Sequence, residues 1–176
     1  MISDTAQTHR LFYALWPDDA TRSALARLQT AVSGRRIPYE NLHMTLAFLG
    51  EQPVGVLSAL QKILAGLPVT EFVLTLDRIG YFTKSRIAWA GTRAAPDQLF
   101  ALQRHLMNEL ANRNIPADTR SAFKPHVTLA RDASVPDELP FEPIQWHADH
   151  VCLVASSNEQ GVHYRLLASH RVNRPA

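Results

Sequence analysis

Cysteine is nearly absent from this chain: Cys152 is the only one in 176 residues. That excludes an internal disulfide and any multi-cysteine zinc or iron–sulfur centre, and it points to a reducing compartment such as the cytoplasm. Long apolar runs are missing as well, since none approaches the ~18 residues of a membrane-spanning helix. The opening MISDTAQTHR is polar where a secretory signal would be apolar, so no membrane partner is expected. Glycine is sparse, with seven residues, and neither GxGxxG nor GxxxxGK[ST] occurs, which removes the usual glycine-rich phosphate cradles. Charge of one sign is not in excess, because 18 basic and 16 acidic side chains leave +2. The dense basic stripe of a duplex-binding surface is therefore not expected, whereas scattered arginines suit a small anionic ligand or a short single strand.

What is present reads as mixed α and β. Arg10–Trp16, Leu42–Gly50, Glu71–Phe82, Arg86–Thr92, His126–Arg131, Trp146–Ser156 and Val162–Val172 have strand character. Helices are expected from Pro17–Asp18 to Gly34, from about Pro53 to Leu67, and over Asp97–Asn114 behind Pro96. In the last of these Leu99, Leu102, Leu106 and Leu110 form an apolar stripe, which reads as core. Strands do not alternate regularly with helices, so an α+β fold of antiparallel sheet with outer helices is expected rather than a doubly wound sheet. The order strand, helix, strand bearing His-x-Thr occurs in each half of the chain. Residues 1–176 are thus expected to form one domain of two similar lobes facing a central cleft.

Chemistry concentrates in two tetrads, His43-Met44-Thr45-Leu46 and His126-Val127-Thr128-Leu129. Side chains alternate faces along a strand, so each tetrad sets an imidazole beside a hydroxyl over an apolar backing. Two such surfaces brought together suit phosphodiester chemistry without a metal. One neutral imidazole takes a proton from the attacking group, a second, protonated one delivers a proton to the departing oxygen, and the threonines hold the phosphate oxygens. The pattern alone leaves other readings open: a module that binds nucleotides or RNA ends with little turnover, or a metal hydrolase. No carboxylate lies within either tetrad and no His-x₃-His accompanies them, which argues against a metal site. The other histidines, His9, His105, His147, His150, His163 and His170, read as surface or structural, and Tyr13, Tyr81, Phe82 and Trp89 mostly as core, with room for one of them to border a base pocket.

These tetrads with their flanks, RLFYAL (Arg10–Leu15), NLHMTLAFLGE (Asn41–Glu51), IAWAG (Ile87–Gly91) and FKPHVTLAR (Phe123–Arg131), resemble a known family. It is the RNA 2′,3′-cyclic phosphodiesterases, also called 2′–5′ RNA ligases, of the two-histidine phosphoesterase superfamily. The resemblance runs from about Arg10 to Arg171. It implies a bilobal fold and hydrolysis of RNA 2′,3′-cyclic phosphate ends to 2′-phosphomonoesters, with 2′–5′ joining as a related reaction and no cofactor. A close variant is the same chemistry on another cyclic or 2′–5′-linked nucleotide. The resemblance further implies that His43 is the proton donor, His126 the proton acceptor, and Thr45 and Thr128 the phosphate ligands. Arg131 matches an arginine that neutralises the phosphate. Phe48, at the offset from His43 that Arg131 has from His126, has two readings: it lines the opposite rim and stacks on a base, or it belongs to the core. For both to face the cleft, each strand must end or bulge after its threonine. A tRNA-derived end and a monomeric state complete the expectations.

Overall fold

The computed structural model describes residues 7–158 and 162–171. Strand β1 (Thr8–Leu15) runs through Pro17 into helix α1 (Asp19–Leu28), which starts where the Asp18 carboxylate accepts the Thr21 N–H at 2.7 Å. The helix stops short of the expected Gly34. A 3₁₀ turn at Gln29–Ala31 tightens its end, and Gly34, with φ of 91°, swings the chain into the two-residue strand β2 (Arg35–Arg36). A Cβ at Gly34 would lie 2.4 Å from the Arg131 carbonyl oxygen, so the backbone conformation and the close approach both require glycine. Then follow β3 (Met44–Pro53) and, after another 3₁₀ turn at Val54–Val56, α2 (Leu57–Gly66).

Two expected strands are each divided. Glu71–Phe82 becomes β4 (Phe72–Leu76) and β5 (Arg78–Phe82), and Trp146–Ser156 becomes β8 (Ile144–Ala148) and β9 (His150–Ser157). Between them lie β6 (Ile87–Gly91), α3 (Asp97–Asn112) and β7 (His126–Arg131), and β10 (His163–Arg171) ends the described chain. Val172 of the expected last strand lies outside the described residues. The divisions have a topological cause: β4 and β8 leave the main sheet to pair with each other. Pro96 is the residue that precedes α3, and the four leucines of the apolar stripe are all buried. Each contributes about 1.5–3 kcal/mol by burial.

The main sheet runs β10-β9-β1-β3-β7-β6-β5 with antiparallel neighbours, and β2 lies beside β7. At its centre β3 and β7 share a single register pair, Met44 with Val127. Outward from this seam the order is β3-β1-β9-β10 on one side and β7-β6-β5 on the other, and the connections β1–α1–β3 and β6–α3–β7 repeat one plan. The helices cross the seam. α1 packs on β7 and β8, whereas α3 packs on β3 and α2, so the connection from each side covers the tetrad strand of the other. One continuous apolar core joins the buried faces of all three helices to Met44, Leu46, Val127 and Leu129.

Both tetrad strands are bulged, and at the same place. In β3, Tyr13 faces Ala47 and Ala14 faces Thr45, leaving Leu46 without a partner on β1; Leu49 is skipped in the same way. In β7, Ala88 faces Ala130 and Trp89 faces Thr128, leaving Leu129 unpaired on β6. A bulged residue drops out of the ladder, and its polar groups need other partners. Glutamine amides supply them. Gln103 of α3 donates to Leu46 O at 3.4 Å, Gln52 to Leu49 O at 2.7 Å, and Gln29 to Leu129 O at 2.8 Å and Ile37 O at 2.8 Å. Gln29 is 4% exposed and joins segments a hundred residues apart in sequence. Replacing it by methionine, similar in shape but without donors, removes both amide donations, to the part-buried Ile37 carbonyl and to the buried Leu129 carbonyl. The expected loss is about 1–3 kcal/mol in urea unfolding, with the transition slope unchanged.

Candidate active site

His43 and His126 immediately precede the two residues of the seam. Because the pairing of Met44 with Val127 is antiparallel, His43 and Thr128 fall on one side of it, and Thr45 and His126 on the other. Both imidazoles are oriented alike. Nδ1 of His43 meets the Asn41 carbonyl at 2.6 Å, and Nδ1 of His126 meets the Lys124 carbonyl at 2.6 Å, two residues upstream in each case. A carbonyl only accepts, so each Nδ1 carries the hydrogen, and Nε2 of the neutral ring is left as the working nitrogen. Nε2 of His43 accepts the Thr45 hydroxyl at 3.0 Å. Nε2 of His126 has no hydrogen-bond partner among the described residues.

Aromatic rings hold both imidazoles. Trp16 stacks on His43 at 5.8 Å between centroids, with Phe12 tilted at 4.9 Å and Tyr164 edge-on at 5.3 Å. Phe82 meets His126 edge-on at 4.9 Å, and Trp89 stands behind at 6.1 Å. Trp89 lies flat across the β5–β6 hairpin over Gly80, where a Cβ would come within 2.1 Å of its ring. This packing sets the electrostatics. Burial pushes the His43 pKa down to about 4, assisted by the nearby charges of His126 and Arg131 and opposed by the Asn41 carbonyl. Burial also lowers the pKa of His126, against the pull of its own carbonyl partner. Without ligand, both rings are therefore neutral at pH 7. An anion between them reverses the balance, because nearby negative charge favours the imidazolium.

The bulges decide what else reaches the cleft. With Leu46 and Leu129 out of register, Phe48 and Arg131 return to the face occupied by His43–Thr45 and His126–Thr128. A cavity of about 320 Å³ is lined by all six residues: His43, Thr45, Phe48, His126, Thr128 and Arg131. Phe48 is 50% exposed, at the cavity rim and not in the core. A second cavity of about 410 Å³ adjoins the first across Thr45, Phe48 and His126, with Phe82, Met107 and Phe123 in its wall. Among the described residues no group of three or more His, Cys, Asp or Glu side chains is placed to hold a metal ion. What surrounds the imidazoles is hydroxyl, guanidinium and aromatic. That set binds an anion, stacks a planar group and moves protons.

Comparison with known proteins agrees with this geometry. The family model described as the 2′-5′ RNA ligase superfamily matches residues 16–160. The chain belongs to that superfamily. An RNA 2′,3′-cyclic phosphodiesterase of Escherichia coli (strain K12) is 32% identical over 162 residues, covering 89% of this chain and 92% of the relative. Another, of Thermus thermophilus, is 35% identical, covering 84% of this chain and 81% of the relative. Among solved structures, one titled a phosphoesterase superposes with TM-score 0.87 at 30% identity, covering 96% of this chain and 100% of that one. E. coli LigT complexed with NADP+ superposes with TM-score 0.84 at 30% identity, again covering 96% and 100%.

Within this superfamily member, reading the sequence reached the polar site but missed its aromatic packing. Nothing in the local pattern singles out Phe12, Trp16 or Tyr164. Of the four aromatics read as mostly core with one bordering a base pocket, Phe82 and Trp89 both pack on His126, and Phe82 lines the second cavity. The one available signal was the aromatic content of β1 and its neighbours, LFYALW, which ordinary core burial explains equally well. Lys124 acts through its carbonyl, while its ammonium stands 6.0 Å from the Phe82 ring centroid. The depressed His43 pKa has a consequence for stability. As pH falls from 6.5 towards about 4, the unfolded chain takes up a proton that folded His43 refuses, so stability decreases through that window. His126 and His150, also lowered, act with the same sign. Urea unfolding across this range will show the decline, and His43→Gln will flatten it.

Proposed function

We propose that this chain hydrolyses RNA 2′,3′-cyclic phosphate ends to 2′-phosphomonoesters by general acid–base catalysis between His43 and His126. The observation that carries the reading is the shared orientation of the two rings: each Nδ1–H is held by a carbonyl two residues upstream, and both histidines and both threonines line one arginine-bearing cavity. The named activity of the E. coli and Thermus relatives supports it. So do the titles of E. coli LigT structures complexed with 3′-AMP, ATP or phosphate, small anions of the kind this cavity suits.

In this mechanism His126 Nε2 removes a proton from water as the water oxygen attacks phosphorus. The bond from phosphorus to the 3′ oxygen breaks, and protonated His43 gives its Nε2 proton to that oxygen. The product carries a 2′-phosphate and a 3′-hydroxyl, and exchange of one proton with solvent restores both rings. Thr45, Thr128 and Arg131 hold the non-bridging oxygens, and Phe48 stacks on the base. A 5′-hydroxyl in place of water forms a 2′–5′ linkage by the same proton transfers. The bound phosphate raises His43 into its acidic form, which the empty site does not favour. Each half of the sheet contributes one tetrad, so a monomer suffices. A tRNA-derived end and a cytoplasmic setting belong to the same proposal.

Incubation with 2′,3′-cyclic nucleotides and cyclic-ended RNA, in the presence of chelator, tests it. The expected product is the 2′-phosphate, and His43→Ala or His126→Ala each lowers kcat by about 10²–10⁴-fold with a smaller effect on ligand affinity. A 3′-phosphate product would reverse the roles of the two oxygens. Binding without turnover would favour a binding module, and loss of activity in chelator a metal enzyme. The pH profile is a second test. The alkaline limb of kcat is expected at higher pH than that of kcat/KM, because only kcat reports His43 with phosphate beside it.

A further inference from the structure

The cavity holding the two histidines has more positive charge than one phosphodiester needs. Arg10, Arg35 and Arg36 line it together with Arg131, and among the described residues no aspartate or glutamate is in its wall. A cyclic phosphate brings one negative charge, which Arg131 is placed to meet. The excess is also locally unfavourable. In antiparallel register Arg35 stands directly opposite Arg131, and like charges facing each other across a strand pair destabilise it. Arg35 finds partial relief in Asp132 at 3.2 Å, an ion pair whose side chains are 67% and 66% exposed and which contributes little. Among the described residues, Arg10, Arg36 and Arg131 form no ion pair. Glu51, opposite Arg10 in register, accepts the Thr8 hydroxyl. Arg10 of β1, Arg131 of β7 and Tyr164 of β10 line this one cavity.

We propose that Arg10, Arg35 and Arg36 form a second anion subsite that takes the phosphate on the 5′ side of the terminal nucleotide. This rests on the phosphodiesterase reading and names its substrate class: an RNA end whose last nucleoside is still 5′-phosphorylated, rather than a free cyclic mononucleotide. With the cyclic phosphate between the histidines and against Arg131, one strand spacing of about 4.8 Å leads to Arg35 and Arg36. The ribose bridges such a step, since it carries the cyclic phosphate on its 2′ and 3′ oxygens and the second phosphate on its 5′ oxygen. Guanidinium groups suit that ligand through charge-assisted, two-point hydrogen bonds to phosphate oxygens. Gly34 holds the arrangement, because its left-handed turn brings β2 against β7.

The test compares ligands differing only in the 5′-phosphate. Adenosine 2′-monophosphate and adenosine 2′,5′-bisphosphate are titrated by calorimetry at fixed ionic strength, and turnover of adenosine 2′,3′-cyclic phosphate is measured with and without a 5′-phosphate. The 5′-phosphorylated member is expected to bind, and to react in kcat/KM, at least about tenfold better. Arg35→Ala and Arg36→Ala each lower that ratio, and the double variant brings it close to one. Lys62→Ala removes the same charge from the exposed face of α2 and keeps the ratio. Equal affinity for the two ligands, or a preference that survives the double variant, overturns the subsite. If neither cyclic compound is turned over, the phosphodiesterase reading fails, and the calorimetric ratio alone then upholds or overturns the subsite.

Discussion

The contact between Met44 and Val127 is the constraint on which the site depends. A single antiparallel register pair joins the two halves of the sheet, and a histidine immediately precedes each of its members. Sliding β3 against β7 by one residue would turn the His43–Thr45 pair towards the core and bring Leu46 to the cleft. One pair of residues is too little to hold that register unaided. The register is held from behind, where α1 and α3 cross the seam and share one apolar core with the buried faces of both strands. The crossing helices make separation of the halves costly, since each would expose the other's tetrad strand.

The same helices stabilise the irregularities that make the cleft useful. A regular strand would send Phe48 and Arg131 into the core, where an arginine is not tolerated. A bulge at Leu46 and another at Leu129 reverse their direction, and glutamines from beyond the strands satisfy the displaced carbonyls. Packing and polar satisfaction thus act together. The apolar face fixes where the strands lie, and three amides make an otherwise costly backbone path stable. The repetition of one device in both tetrads also explains why residues at the same offset from each histidine have equivalent positions, although one is aromatic and the other cationic.

Electrostatically, the empty site is poised rather than active. Aromatic enclosure keeps His43 neutral, with its pKa near 4, and the arginines add to that effect. In the proposed mechanism a phosphate supplies the missing negative charge, so that substrate binding and creation of the acid are one event. Both imidazoles are locked at Nδ1 by backbone carbonyls, which leaves proton transfer to Nε2 and removes ring rotation as a degree of freedom. Such preorganisation suits a reaction in which charge shifts between two oxygens on one phosphorus.

Much of this was legible in the sequence. The two tetrads, their spacing, the leucine stripe of α3 and the span of β7 follow from local pattern, because strand alternation and helical periodicity act over a few residues. That each strand must end or bulge for Phe48 and Arg131 to face the cleft was also legible; that both bulge was not. The division of two strand segments into separate sheets was not, since β4 and β8 look locally like continuations of β5 and β9. Nor were the aromatic enclosures of His43 and His126, or the glutamines that sustain the bulges. Phe12, Trp16 and Tyr164 come from β1, the turn after it and β10, and Gln29 reaches a carbonyl a hundred residues away. The sequence by itself determined which groups carry the candidate chemistry, because those groups are short motifs. Only the tertiary structure decided how those groups are packed, charged and aimed, because these properties belong to neighbours that the chain brings together by folding.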